Sequence, residues 1–164
     1  MKCDNAYYVS ALQTPNAKTI KMDEYFMKQA LIEARLAADE DEAPVGAVVV
    51  CGDRIIARGH NMTERLNDPT AHAEMLAITA ATGTLGAKYL TNCRLYVTVE
   101  PCVMCAGAIG WAQLAAVIYG TADEKRGFMR YAPHALHPKT EVHGGILETE
   151  CAGIMKDFFR NKRL

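Results

Sequence analysis

The chain has 164 residues, 18 Lys+Arg against 19 Asp+Glu, a net charge of −1, 50% apolar residues and 23% charged ones. That length suits one domain of ordinary size, and the composition excludes a disordered or fibrous chain. No apolar run reaches the ~18–20 residues needed to cross a bilayer, and the charge balance excludes a strong overall field for nucleic acid while allowing a local basic patch. The opening Met1-Lys2-Cys3-Asp4-Asn5 lacks the apolar stretch of a secretory signal, so a cytoplasmic location is expected. Six cysteines in such a chain are expected in metal or catalytic roles rather than in a disulfide framework.

Residues 1–21 show neither a helical nor a strand period and are expected to form a weakly ordered extension. Met22 could itself serve as a start, with the single domain running over 22–164. Asp23 is the expected N-cap of the first helix, with Met22 and Met27 as a hydrophobic staple. Met27, Ala30, Leu31, Ala34 and Ala37 follow the helical rhythm. The acidic run Asp39-Glu40-Asp41-Glu42 and Pro44 end that helix, and the run is expected to be a solvated loop. Val45–Val50 and Arg54–His60 read as a hairpin turning at Cys51-Gly52-Asp53. After a loop over 61–70, Ala71–Ala81 reads as a helix. Leu95–Val99, Cys102–Gln113 and Leu114–Tyr119 form a strand, a helix and a strand, the pattern of a parallel pair with a right-handed crossover. The stretch 121–145 is expected to be loop with a short helix at most, and Glu148–Lys162 is a last amphipathic helix. The class is α/β, with helices on a mixed sheet.

Two clusters carry chemistry. His72-Ala73-Glu74 opens one helix, and Pro101-Cys102-Val103-Met104-Cys105 opens another directly after a strand. Cysteines three apart lie about 60° from each other around a helix, so both sulfurs can reach one ion. At a helix entrance the free N–H groups and the dipole favour the thiolate, and Pro101 loses no hydrogen bond there. His72 and Glu74 are about 200° apart on a regular helix, so they converge only at a point off its N-terminal end. One imidazole and two thiolates favour zinc, and three protein ligands leave a position for water, as in catalytic zinc sites. A redox Cys-x-x-Cys pair would leave His72 and Glu74 without a role. A closed structural zinc would need a fourth ligand, for which Cys93, His60 and Cys151 are available, none in a second metal-spaced pair.

His-x-Glu followed by Pro-Cys-x-x-Cys resembles the signature of the zinc-dependent base deaminases of the cytidine/deoxycytidylate deaminase-like family. The likeness extends from about Asp23 to Arg163 and includes Pro44-Val45-Gly46-Ala47, Asn61, Asp68–Glu74 and Leu95–Ala108. It implies the cytidine-deaminase-like three-layer α-β-α fold, with a central mixed β-sheet of about five strands. It implies one Zn2+ per chain on His72, Cys102 and Cys105, with Glu74 as the catalytic proton carrier. Asn61, Ala73, Val45, Glu100 and Pro101 are the implied substrate-binding residues.

Within the family, the likeness runs to the enzymes that convert the wobble adenosine of a tRNA anticodon loop, that of an arginine tRNA, to inosine with release of ammonia. The implied partners are that loop, with its base flipped out, and a second copy of the chain in a homodimer. Asp123 and Lys125, with Phe158, Phe159, Arg160, Lys162 and Arg163 on the last helix, resemble residues that meet RNA; aromatic faces there can stack on bases and cations can meet phosphate. Trp111, in Ile109-Gly110-Trp111-Ala112-Gln113, resembles guanine deaminases instead. The alternative substrate is therefore a free base or nucleoside: guanine, cytosine or adenosine. A zinc-binding partner protein without activity would have no need to keep Glu74.

Overall fold

The structure is a computed structural model and describes residues 15–163. Its centre is a run of β-branched and aliphatic residues that is apolar on both faces, which suits a sheet covered on both sides. Five strands pair in the order β2-β1-β3-β4-β5. They are β1 (Gly46–Cys51), β2 (Arg54–His60), β3 (Cys93–Val99), β4 (Ala116–Thr121) and β5 (Glu141–His143). β1 is antiparallel to β2 and β3, whereas β3, β4 and β5 run parallel. The hairpin turns where expected, with Gly52 supplying a φ of 64° and Cys51 opposite Arg54.

Alternation along each strand sends side chains to two separate cores. Val48, Val50, Tyr96 and Ile118 pack with α1 (Ala17–Asp39) and with Cys151 of α6 (Glu148–Lys162). Ala47, Val49, Leu95, Val97 and Val117 pack with α3 (Ala73–Leu85) and α4 (Val103–Ala112). The result is the expected three-layer α-β-α arrangement on a five-stranded mixed sheet. The β3-α4-β4 unit pairs in parallel, since α4 carries the chain back across the sheet. Two short helices, α2 (Thr63–Leu66) and α5 (Phe128–Tyr131), lie in the connections.

Four expectations change. α1 starts at Ala17 and not at Asp23: Asn16 is its cap, accepting from the Thr19 N–H at 3.0 Å. Residues 17–21, assigned to a weakly ordered extension, are thus helical; residues 1–14 of that extension lie outside the described residues. Asp23 is buried in mid-helix, where it accepts a 2.6 Å hydrogen bond from the Tyr96 hydroxyl. The acidic run is not all solvated, because Glu42 is fully buried. Loop 61–70 contains α2, and the stretch 121–145 contains β5 as well as α5. β5 is only three residues at the sheet edge, too short to show a period.

α1 crosses β1 most closely at Gly46, where an added Cβ would meet the backbone of Ala30 and Ala34. Gly46 also donates its N–H to the buried Thr98 hydroxyl at 3.1 Å. Because backbone cannot rotate away as a side chain can, Gly46→Ala is expected to destabilise the fold by about 1–3 kcal/mol. A denaturant titration would show this as a lower midpoint with an unchanged slope.

Candidate active site

The functional side chains gather at the end of the sheet where β2, β3 and β4 finish and β1 begins, the carboxyl edge at which open α/β sheets place ligands. Two helices start there. His72 is the N-cap residue of α3 and Cys102 that of α4, both extended in backbone (ψ 154° and 172°), so their side chains leave the helix axis and point beyond the first turn. Cys105 follows one turn into α4 and is buried.

His72 Nδ1 lies 3.6 Å from Cys102 Sγ and 3.5 Å from Cys105 Sγ. Ligand atoms of a tetrahedral zinc with Zn–S ~2.3 Å and Zn–N ~2.0 Å stand about 3.5 Å apart, so the three atoms fit that ion. Among the described residues these three form the one His/Cys/Asp/Glu group close enough to hold a metal, and none supplies a fourth ligand. Of the alternatives for a closed site, Cys93 sits in the α3/α4 core and Cys151 in the α1/α6 core. His60 is held by Glu33 and Glu40, each at 3.2 Å.

Protons are shared unevenly among the ligand atoms and must leave when a metal binds. A hydrogen bond from Cys105 and a second from His72 pull the Cys102 thiol down to about 4, against the effect of burial. Cys105 moves the opposite way, because it donates to Cys102 and is itself buried. The Cys102 contact also raises His72 above the usual imidazole range. Glu74 is buried beside them, and burial pushes its carboxyl up to about 7.

A cavity of about 250 Å³ opens on this group. Val45, Asn61, Ala73, Glu100 and Asp123 line it together with His72, Glu74 and Cys102. Pro101 stands behind the wall, where its carbonyl accepts from the Phe128 N–H at 2.9 Å. Lys125 is exposed and touches the site only through its N–H, which donates to Asp123 Oδ1 at 3.0 Å. Phe158, Phe159, Arg160, Lys162 and Arg163 do not line the cavity; α6 contributes Met155 instead. Phe158 is half-buried and Phe159 exposed, their rings edge to face at 5.3 Å. Arg160 pairs with Asp157 at 2.7 Å and Lys162 with Asp41 at 3.0 Å. A wider apolar cleft of about 590 Å³ lies beside α1, lined by Lys18, Lys21, Met22, Tyr25, Phe26 and Asp53, which form no cluster able to hold a metal.

Several contributors escape sequence reasoning. Ala43, Thr63, Arg126 and Met155 line the cavity, and no local pattern marks them. The side chain of Glu100, rather than its backbone alone, builds one wall. Its Oε2 accepts from the Asp123 N–H at 3.2 Å and sits where a Cβ on Gly127 would be. Gly127 in turn bridges to Cys102, so the loop over 122–127 is tied to a zinc ligand.

The sequence pattern described as the cytidine and deoxycytidylate deaminase zinc-binding region matches residues 20–121. The chain belongs to that family of zinc-dependent deaminases, and His72, Cys102 and Cys105 are its zinc triad. More particularly, the tRNA-specific adenosine deaminase of Agrobacterium fabrum is 45% identical over 145 residues, covering 85% of this chain and 95% of that protein. A solved structure from work on A-to-I editing by tRNA:A34 deaminases at the wobble position superposes with a TM-score of 0.75 at 44% identity, covering 79% of this chain and 98% of the other. A guanine deaminase from Bacillus subtilis superposes with a TM-score of 0.58 at 46% identity, over 60% of this chain and 64% of that one.

Removal of one sulfur leaves too few ligands to hold the ion. Purified Cys102→Ala protein is expected to lose the equimolar zinc that the unchanged protein carries, whereas Cys93→Ala should keep it, as read by metal analysis.

Proposed function

We propose that the protein deaminates the wobble adenosine of a tRNA anticodon loop to inosine in the cytoplasm. The carrying observation is a buried carboxyl, Glu74, sharing one cavity with an open zinc triad in a chain that matches a tRNA-specific adenosine deaminase over nearly its whole length. Zinc, when bound, supplies a nucleophile at neutral pH by lowering the pKa of water towards ~7. Glu74 lies beside the triad and is the group that takes the proton of the attacking water, passes it to N1 of adenine and then protonates the departing amine. Adenosine and water thus give inosine and ammonia. Val45, Ala73 and Glu100 wall the base, and Asn61 orients the nucleotide.

The cavity admits a base and little else, so a polynucleotide must present its target flipped out. Arg126 and Asp123, which line the cavity, meet the flanking nucleotides in this reading, and exposed Phe159 and Arg163 at the end of the chain offer a further ring and charge to the RNA. The guanine deaminase likeness, together with Trp111, favours one second reading, hydrolysis of a free base. Inosine mapping of tRNA incubated with the protein separates the two. Inosine is expected at the wobble position, with none formed by Glu74→Ala even though that variant retains zinc. Turnover of free guanine alone would overturn the tRNA reading.

We also propose a homodimer built on α4 and α5. Val103, Met104 and Trp111 of α4 and Met129 and Tyr131 of α5 are exposed, Trp111 at 85%, and α5 packs on α4. Large apolar side chains gathered on one face mark an association surface. Sedimentation is expected to show a dimer that Trp111→Glu converts to monomer; an unchanged dimer would place the interface elsewhere.

A further inference from the structure

Glu42 closes the acidic run that follows α1, yet it is fully buried. Its two oxygens take four hydrogen bonds. Oε1 accepts from the Arg65 N–H at 2.7 Å, and Oε2 accepts from the Glu64 N–H at 3.2 Å, from Thr63 Oγ1 at 3.3 Å and from Asn61 Nδ2 at 3.1 Å. Backbone N–H groups can only donate, so the carboxylate is held in the acceptor role. The Asn61 amide must then turn its NH2 towards Glu42, since the flipped carboxamide would set oxygen against oxygen. Its second N–H goes to Thr63 Oγ1 at 3.2 Å, while the Thr63 hydroxyl spends its own proton on Glu42. With both amide hydrogens committed, Oδ1 is the polar atom that Asn61, a cavity-lining residue, has left to offer.

We infer that Glu42 is a positioning residue that locks the Asn61 carboxamide so that Oδ1 accepts a hydrogen bond from the 2′-hydroxyl of the target nucleotide. This rests on the RNA-deaminase reading above. The ring nitrogens N1, N3 and N7 of adenosine are acceptors, so its donors are the amine and the sugar hydroxyls. The amine is the leaving group at Glu74. Within a nucleic-acid strand the 3′ oxygen is esterified, which leaves the 2′-hydroxyl as the donor for Asn61. The same group distinguishes RNA from DNA. Asn61 therefore reads the sugar with one fixed polarity, and Glu42, which does not touch the substrate, sets that polarity.

The test compares anticodon stem-loops whose target is adenosine or 2′-deoxyadenosine, with free guanine and adenosine alongside. For the unchanged protein, kcat/KM is expected to favour the ribose target by at least about tenfold, the order of one lost hydrogen bond. Glu42→Met removes every acceptor that faces Asn61 and releases the carboxamide, so this preference should collapse, mainly through KM. Zinc content and the thermal midpoint show whether the variant is folded. Glu42→Gln can keep its carbonyl oxygen on the three donors now at Oε2 and turn its NH2 towards the single donor at Oε1, so it should retain most of the ribose preference. A purely structural role for Glu42 predicts a ribose preference that does not follow the acceptor facing Asn61. A folded, zinc-loaded Glu42→Met protein that keeps the full ribose preference overturns the inference and leaves the tRNA reading intact. Turnover of free guanine alone overturns both.

Discussion

The structure depends on two helices that begin at one edge of one sheet. α3 and α4 both cover the face that carries Val49, Leu95 and Val97, and each starts with a residue that is extended rather than helical. His72 and Cys102 can therefore reach past their helix ends and meet, 30 positions apart in the chain, at 3.6 Å. The constraint is one of packing before it is one of chemistry. If α3 and α4 slid along the sheet by one residue, about 1.5 Å, the ligand atoms would leave the range that one zinc ion can span. The small residues that let α3 lie close, Ala73 and Ala77 against Gly59 of β2, thus support the metal site through packing.

A second constraint acts from the other side of the triad. Glu100 immediately follows β3 and is buried, and burial raises its carboxyl. It survives there because the loop over 122–127 turns back and gives it the Asp123 N–H. Asp123 Oδ1 then accepts from the N–H groups of both Lys125 and Arg126 at 3.0 Å, which shapes the loop and brings Arg126 to the cavity mouth. Buried polar groups that must be satisfied thus link the metal ligand, the cavity wall and the mouth in one chain of hydrogen bonds.

What could be read from the sequence divides by the distance between partners. The zinc triad and Glu74 were legible because each ligand pair is local and the spacing alone restricts the chemistry. The limits of α6 and the parallel β3/β4 pair were legible from helical period and connection length. Asp23 misled because a buried aspartate in mid-helix looks like an N-cap until its partner is known, and Tyr96 is 73 positions away. Glu42 misled in the same way, as one of four consecutive acidic residues whose distinguishing partners begin 19 positions later. Nothing in the sequence of α6 marks Met155 as the residue that reaches the cavity, or Asp41 as the partner of Lys162. Long-range partners leave no period in the chain, so neither composition nor spacing reports them.

The two buried glutamates of this region show how position decides the work of one side chain. Glu42 and Glu74 are both removed from water and both belong to the walls of the same small cavity or its backing. Glu42 is surrounded by donors on both oxygens, which fix its place behind Asn61. Glu74 has the opposite setting: it is buried, with Cys102 nearby as a further negative group, and its carboxyl is pushed up to about 7. Glu42, with four donors, is therefore suited to hold geometry, whereas Glu74, whose donors are its own N–H and the Cys105 thiol, stands beside the zinc triad, and the fold supplies both close to Asn61 and His72.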